Sequence, residues 1–206
     1  MKKYTLRRLV MMVLAIFVIG LGLELFILSA MGSEASSSFA RASGNTFGIP
    51  FSINMIVLNC VYFVAEILFG RDMIGPGTFV NWCFVGISTT VWEGILQAIG
   101  FVPSTMPERI VFLLSGVIVL SFAVSLYQTA DTGIAPYDTL AILLSRKLPI
   151  PYFWCRMMVD CTCVVLTLVF HGAVGVGTVI CSLCLGPFVA FFNTYASQQL
   201  CGIKKK

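Results

Sequence analysis

Charged side chains are scarce in this sequence. Asp, Glu, Lys and Arg make up 11% of its 206 residues, whereas about 25% is usual for a soluble domain. This deficit excludes a soluble globular protein and also an intrinsically disordered one, which needs many charges and few apolar residues. The net charge of +4 is too small, and too concentrated at the chain ends, for a nucleic-acid-binding surface. We therefore expect no nucleic-acid partner.

Histidine and paired cysteine motifs are also rare. His171 is the one histidine, and Cys181-x-x-Cys184 has the spacing of a thiol or metal motif but no second pair accompanies it. Structural zinc takes four such ligands, so the sequence predicts no metal and no cofactor. The eight cysteines lie mostly in apolar runs, where cysteine behaves as a small hydrophobic residue. The serines at 36–38 have no histidine beside them as a base, so we do not expect an enzyme.

The sequence is instead rich in long runs of apolar residues. The sequence is 58% hydrophobic, with a mean hydropathy of +0.96. A helix of about 20 residues crosses a bilayer, and six runs approach that length: 9–31, 49–69, 78–101, 110–128, 150–170 and 173–195. The sequence therefore predicts an all-α polytopic membrane protein with six transmembrane helices, in contact with the lipid bilayer and forming one membrane domain over residues 1–206.

Basic residues predict the orientation of these helices. If the first residues are cytoplasmic, ten Lys and Arg side chains fall on the inner side, while only Arg41 and Arg109 fall outside. Inner loops of membrane proteins carry such an excess of positive charge. An even number of spans also puts both ends of the chain on one side. We therefore expect a multi-pass protein of the cell membrane with both termini cytoplasmic.

The sequence also repeats itself. The motif Gly-x-Gly-Thr occurs at residues 75–78 and again 100 residues later, at 175–178. An Ile-Pro pair at 49–50 recurs at 150–151, in nearly the same register. Matches at one constant spacing indicate two copies of one structural unit.

Each copy contains three of the apolar runs, the first copy over residues 9–101 and the second over 110–198. Because three is odd, the second copy enters the membrane from the opposite side, which predicts two inverted three-helix repeats as in many secondary transporters. A polar segment follows the first run of each copy, at 32–48 and at 131–149. Each segment is either a re-entrant, broken helix buried in the protein or a plain interfacial helix, and the sequence leaves both open.

Three segments resemble the signature segments of the YczE/YyaS/YitT-type bacterial integral membrane proteins: 130–138 (ADTGIAPYD), 174–178 (VGVGT) and 184–188 (CLGPF). The YczE-like branch is the most similar. The first copy departs from the pattern at 33–36, where Ser-Glu-Ala-Ser replaces a proline-containing stretch. The resemblance covers nearly the whole chain and implies a small multi-span protein of the bacterial inner membrane. It implies no substrate.

Polar residues within the apolar runs are the candidate substrate- or ion-binding residues, because an ionisable group at the bilayer centre costs about 2.5–3.5 kcal/mol and needs a partner or a function. Asp160 lies in the middle of its run, its repeat counterpart Asn59 lies in the middle of the second run, and Arg156 is one helical turn from Asp160. An Arg–Asp pair can equally serve helix packing alone, and that alternative stays open. The full set of candidates is Asp160, Asn59, Arg156, Asp138, Glu24, Glu93, Gly77, Thr78, Gly177 and Thr178.

These patterns favour a transporter or permease for a small molecule or an ion of unknown identity. Two alternatives remain: a substrate-binding membrane subunit of a multicomponent importer, and a membrane assembly or scaffold protein that transports nothing. The sequence contains no nucleotide-binding segment, so an ATP-driven mode needs a separate energising subunit. Association with that subunit or with further copies of the chain stays open.

Overall fold

The computed structural model describes residues 6–197 and residue 200. Predictions that rest on Lys2, Lys3, Cys201 and the lysines at 204–206 lie outside this part of the chain. Within it, the regular structure is helical, with eight α-helices: α1 Leu6–Ser29, α2 Ala35–Phe47, α3 Phe51–Phe69, α4 Pro76–Ala98, α5 Met106–Thr129, α6 Pro136–Lys147, α7 Tyr152–Val169 and α8 Val176–Phe192. A 3₁₀ turn, Arg71–Met73, precedes α4, and one π-helical turn, Asn193–Ser197, follows α8.

Five of these helices are long and apolar enough to cross a membrane: α1, α4, α5, α7, and α8 with its π-helical extension. The all-helical, multi-span class predicted from the sequence is thereby confirmed. The apolar part of α3, Ile53–Phe69, is shorter than these five. The sixth span and the inverted repeats therefore stay predictions.

The outer surface of the bundle is apolar. On α3, for example, Ile53, Ile56, Val61 and Leu68 are all more than half exposed. Soluble monomers do not expose continuous apolar patches of this extent, so this surface belongs in contact with lipid.

Helix ends follow ordinary capping chemistry. Pro76 and Pro136 occupy the first positions of α4 and α6, where proline loses no backbone hydrogen bond. The carboxylate of Glu108 in the first turn of α5 accepts hydrogen bonds from the amides of Ser104 and Thr105, at 2.6 and 3.0 Å. Such caps satisfy the free amides at a helix start.

The core of the bundle is the pair α1 and α5, which pack along each other. Helix α4 lies on α1, and α8 lies on α5. A side chain at Gly22 of α1 would come within 2.9 Å of the backbone of Leu120 on α5, so this glycine permits the close approach of the two helices.

The two Gly-x-Gly-Thr motifs make the same contact twice. The amide of Gly77 donates to the carbonyl of Thr132 (2.9 Å), in the turn after α5, and the amide of Gly177 donates to the carbonyl of Met31 (2.8 Å), in the turn after α1. A Cβ atom on Gly175 would collide with the same Met31 carbonyl. Each motif therefore packs against the turn that follows the first helix of the other half of the chain.

The polar segments at 32–48 and 131–149 contain the two short helices, α2 and α6. Helix α2 packs on α3, α7 and α8, and α6 packs on α3 and α7. Their first turns meet, because Ala35 and Tyr137 form one apolar cluster with Cys163 in the middle part of α7.

From that meeting point the two helices run in opposite directions. The ring of Phe47, the last residue of α2, lies 5.6 Å from the ring of Phe170 at the C-terminal end of α7. The ammonium group of Lys147, the last residue of α6, lies 4.2 Å from the ring of Phe69 at the end of α3. Both short helices thus lie alongside the long ones, each from the middle to one end.

Candidate functional site

A cavity of about 420 Å³ lies where the first turns of α2 and α6 meet. All eight helices contribute to its wall. Its polar lining includes Glu34, Ser36, Asn59, Asn81, Asp138 and Arg156. A cavity of this size with a few convergent polar groups in an otherwise apolar wall is typical of a small-molecule site.

Arg156 forms the charged centre of this site. Its guanidinium binds the carboxylate of Asp138 on α6, and its Nε donates to Oδ2 of Asp160 at 3.2 Å. These three residues are 4%, 8% and 3% exposed, respectively. The Tyr137 hydroxyl donates to Oδ1 of Asp160 at 2.5 Å, and the Tyr137 ring lies 4.9 Å from the guanidinium.

The structure thus contains the Arg156–Asp160 pair predicted from helical spacing and adds Asp138 as a second carboxylate. Asp160 lies on the same helix as Arg156 and binds its guanidinium, but Asp160 does not line the cavity. Arg156, Asp138 and Asn59 do line it. Four of the candidate residues therefore belong to one site.

Glu34, which the sequence analysis did not select, also lines the cavity. Its Oε1 accepts hydrogen bonds from the hydroxyls of Ser36 (2.7 Å) and Ser37 (3.3 Å) in the first turn of α2. Burial raises the pKa of the Glu34 carboxyl, the charge of Asp138 adds to that rise, and the Ser36 hydrogen bond and the charge of Arg156 oppose it. One feature of the sequence could have identified Glu34 as a site residue. It is an acidic residue directly before a polar helix, in the segment that departs from the family pattern.

Glu24 and Glu93 lie elsewhere. Glu24 is buried on α1, and Glu93 is exposed on α4, where it accepts a hydrogen bond from Gln97 at 3.3 Å. Neither residue lines the cavity.

The four candidates in the glycine motifs take part in backbone packing. The amides of Gly77 and Gly177 are occupied by carbonyls of the opposite half, as described above, and the amides of Thr78 and Thr178 donate to the carbonyls two positions before those glycines. Because these amides already have backbone partners, the geometry favours close packing of the motifs over the binding of an anion at the two helix starts.

A second cavity, of about 480 Å³, lies on the other side of the first turn of α2. It is lined by Ser38, Arg41, Asn45 and Thr178, among others. The segment 33–38 therefore separates two cavities. Within the described residues, no group of three or more His, Cys, Asp or Glu side chains is placed to hold a metal ion.

Comparison with known proteins shows relatives but no activity. Residues 6–194 match a protein family described as a family of unknown function, DUF6198. An uncharacterized protein of Haemophilus influenzae is 24% identical to this chain, and the matched region covers 86% of this chain and 79% of the relative. The uncharacterized membrane protein YczE of Bacillus subtilis is 23% identical, over 83% of this chain and 78% of YczE.

A third relative, the uncharacterized protein YyaS of Bacillus subtilis, is 18% identical over 84% of this chain and 85% of YyaS. No solved structure matches the chain. The resemblance to YczE- and YyaS-type proteins, drawn above from three short segments, is confirmed.

Proposed function

This chain belongs to the DUF6198 family of unknown function, and from that premise we propose that it is a transporter for a small polar solute, which binds in the 420 Å³ cavity. One observation carries the proposal: two short helices begin beside this cavity, at the middle of α7, and run to opposite ends of the bundle. Secondary transporters place the ends of interrupted helices at their substrate sites in this way.

We propose further that the two halves are inverted repeats in a bacterial inner membrane. The constant spacing of about 100 residues and the paired contacts of the two glycine motifs support this. The excess of basic residues on one side supports cytoplasmic termini. With the chain in that orientation, α6 runs toward the cytoplasmic side and α2 toward the outside.

The two halves differ in one respect that suits transport. In the second half, α7 packs along α8, and a Cβ atom on Gly186 would come within 2.8 Å of the carbonyl of Phe153. In the first half, α3 and α4 contact each other through the ring of Phe63, which lies 6.0 Å from the ring of Phe79 and 5.9 Å from that of Trp82. Both helices also line the cavity, and a Cβ atom on Gly86 would meet nothing within 4 Å. Gly86 and Gly186 are repeat counterparts, so one half is closed where the other is open.

Alternating access would follow if the two halves exchanged their arrangements, so that the first half closed and the second half opened. In the opposite state, α4 would close on α3 at Gly86. Gly86 and Met55 both line the cavity. In the repeat, Met55 occupies the position that Arg156 has in the second half. Helix α4 is held to α1 by hydrogen bonds from Ser88 and Trp92 to the carbonyl of Phe17, at 2.8 and 3.0 Å. Movement of α4 about this attachment would open and close the cavity.

The test is solute flux into proteoliposomes with two matched variants. Gly86→Leu fits the open space of the described state and should fold normally, but it should block closure and reduce flux at least tenfold. Gly94→Leu lies on the same helix, also with nothing within 4 Å, and should leave flux unchanged. Equal flux in both variants would contradict closure through Gly86.

The alternative functions give different results in the same assay. Flux that requires an added energising complex would favour the importer subunit. A protein that neither binds nor moves any solute, with or without such a complex, would be the scaffold, and the transport proposal would then be wrong.

A further inference from the structure

The chemical class of the solute can be argued from the charges of the cavity, on the basis of the transport function proposed above. Among the described residues, one guanidinium, that of Arg156, faces three carboxylates, those of Glu34, Asp138 and Asp160. Asp138 and Asp160 are both bound to Arg156. Glu34 has hydroxyl partners in Ser36 and Ser37 but no cation bound to it.

Aromatic rings face the same space. Phe51 of α3, Trp82 of α4 and Tyr137 of α6 all line the cavity. The guanidinium of Arg41 lies 5.2 Å from the Phe51 ring and that of Arg156 lies 4.9 Å from the Tyr137 ring. Among the described residues, the Trp82 ring is the one of the three with no cation of the protein over it. The face of an aromatic ring attracts a cation, and the attraction strengthens where water is excluded. A carboxylate that makes no salt bridge within the described part of the chain, together with the Trp82 ring in the wall of the same cavity, is a combination that recognises an organic ammonium group.

An anion suits the site less well. The first turns of α2 and α6 do carry the partial positive charge of helix N-termini. Acidic side chains already occupy both ends, however: Glu34 precedes α2 and Asp138 lies in the first turn of α6. An anionic solute would therefore meet an excess of negative charge.

We infer that the transported solute is an organic cation, an amine or quaternary ammonium compound, which binds to the Glu34 carboxylate and displaces the proton from that group wherever the group carries one. No bond other than that O–H bond is broken, and the proton leaves to solvent. Cation and proton thus compete for one carboxylate, as exchange of a cation against a proton requires.

The surroundings of Glu34 determine the sign of the pH dependence. Ser36 on its own helix, Asp138 of α6, Arg156 and Asp160 of α7, Tyr62 of α3 and Cys181 of α8 all interact with it. Burial leads these effects and raises the pKa of Glu34, so the empty site retains its proton to a higher pH than an exposed glutamate. A bound cation stabilises the ionised form. Affinity for the cation should therefore rise with pH, by up to tenfold per unit below that pKa.

Calorimetric titration of the purified full-length protein tests this inference. The probes are the tetramethyl-, tetraethyl- and tetrapropylammonium ions, butylammonium, butyrate as the matched anion, and butanol as the neutral control. Titrations in buffers of different ionisation enthalpy measure the number of protons released. We expect binding of at least one cation, with a proton release that increases as the buffer pH is lowered, and no binding of butyrate or butanol.

Two variants complete the test. Glu34→Gln keeps the size of the side chain and should lower cation affinity at least tenfold, with no proton release. Glu93→Gln removes an exposed carboxylate on α4 outside the cavity and should bind as the wild type does. Cation binding that E34Q leaves unchanged, or binding of butyrate instead, would overturn the inference. If no cation binds but flux of another solute still distinguishes Gly86→Leu from Gly94→Leu, the inference fails and the transport proposal stands.

Discussion

Removal of Arg156 should destabilise the protein more than removal of Asp160, although the two residues form one ion pair. In Arg156→Gln, the carboxylates of Asp138 and Asp160 lose their cation, while the two side chains are only 11% and 5% exposed. Breaking a buried pair from one side costs about 3–5 kcal/mol. We expect a loss of unfolding free energy in that range.

In Asp160→Asn the cluster retains a neutral pair, because Arg156 still binds Asp138. The asparagine oxygen can still accept from Nε of Arg156, and its amide nitrogen then donates to the hydroxyl oxygen of Tyr137. What is lost is the charge assistance of two hydrogen bonds. Hydrogen bonds to charged groups contribute about 1.5–3 kcal/mol and neutral ones about 0.5–1.5, so the expected loss is about 2–3 kcal/mol in all.

Unfolding of the purified variants in detergent micelles, followed by circular dichroism, measures these differences. Glu93→Gln is the control and should change stability by less than about 0.5 kcal/mol. The double variant Arg156→Gln/Asp160→Asn should be less destabilised than the sum of the single variants, because removing Asp160 relieves one unpaired carboxylate. If Arg156→Gln costs no more than Asp160→Asn, the three residues do not form the buried cluster described here.

Three further predictions follow from other parts of the fold. Gly175→Ala should lower stability by about 1–3 kcal/mol, because its Cβ atom would collide with the turn after α1. Gly94→Ala, in open space, should raise stability by about 0.5–1 kcal/mol. Equal effects of the two variants on thermal unfolding would contradict this prediction. Thr139→Val removes the hydrogen bond that the Thr139 hydroxyl donates to Oε1 of Glu66. It should lower stability by about 1–3 kcal/mol, because Glu66 is 0% exposed and its other oxygen has no hydrogen-bond partner among the described residues. An unchanged unfolding midpoint would refute this prediction. A reporter fused after Lys206 should be active in the cytoplasm, and a periplasmic signal would reverse the proposed orientation.

The sequence by itself determined the class of the protein and one contact of the site. Few charges and long apolar runs leave no soluble alternative, because the chain cannot cover a water-exposed surface. The pairing of Arg156 with Asp160 follows from the four-residue spacing on one helix, which places the two side chains on the same face whatever the rest of the fold. The family resemblance likewise required only short local segments.

Tertiary structure alone decided which other residues join the site. Helices α2 and α6 are too short and too polar for hydrophobic pattern to place them, and their positions depend on packing against α3 and α7. That packing brings Asp138 to Arg156 and places Glu34 in the wall of the same cavity, although Glu34 lies more than a hundred residues from Arg156 in the chain.

The difference between the two halves is also a property of the folded state. Gly86 and Gly186 occupy equivalent positions in the repeat, yet one faces open space and the other packs against α7. Pro187 follows Gly186 whereas Ile87 follows Gly86, but both glycines lie inside helices, so this local difference does not by itself decide which half closes. Which half closes therefore depends on the packing energy of the whole bundle, which no local pattern expresses.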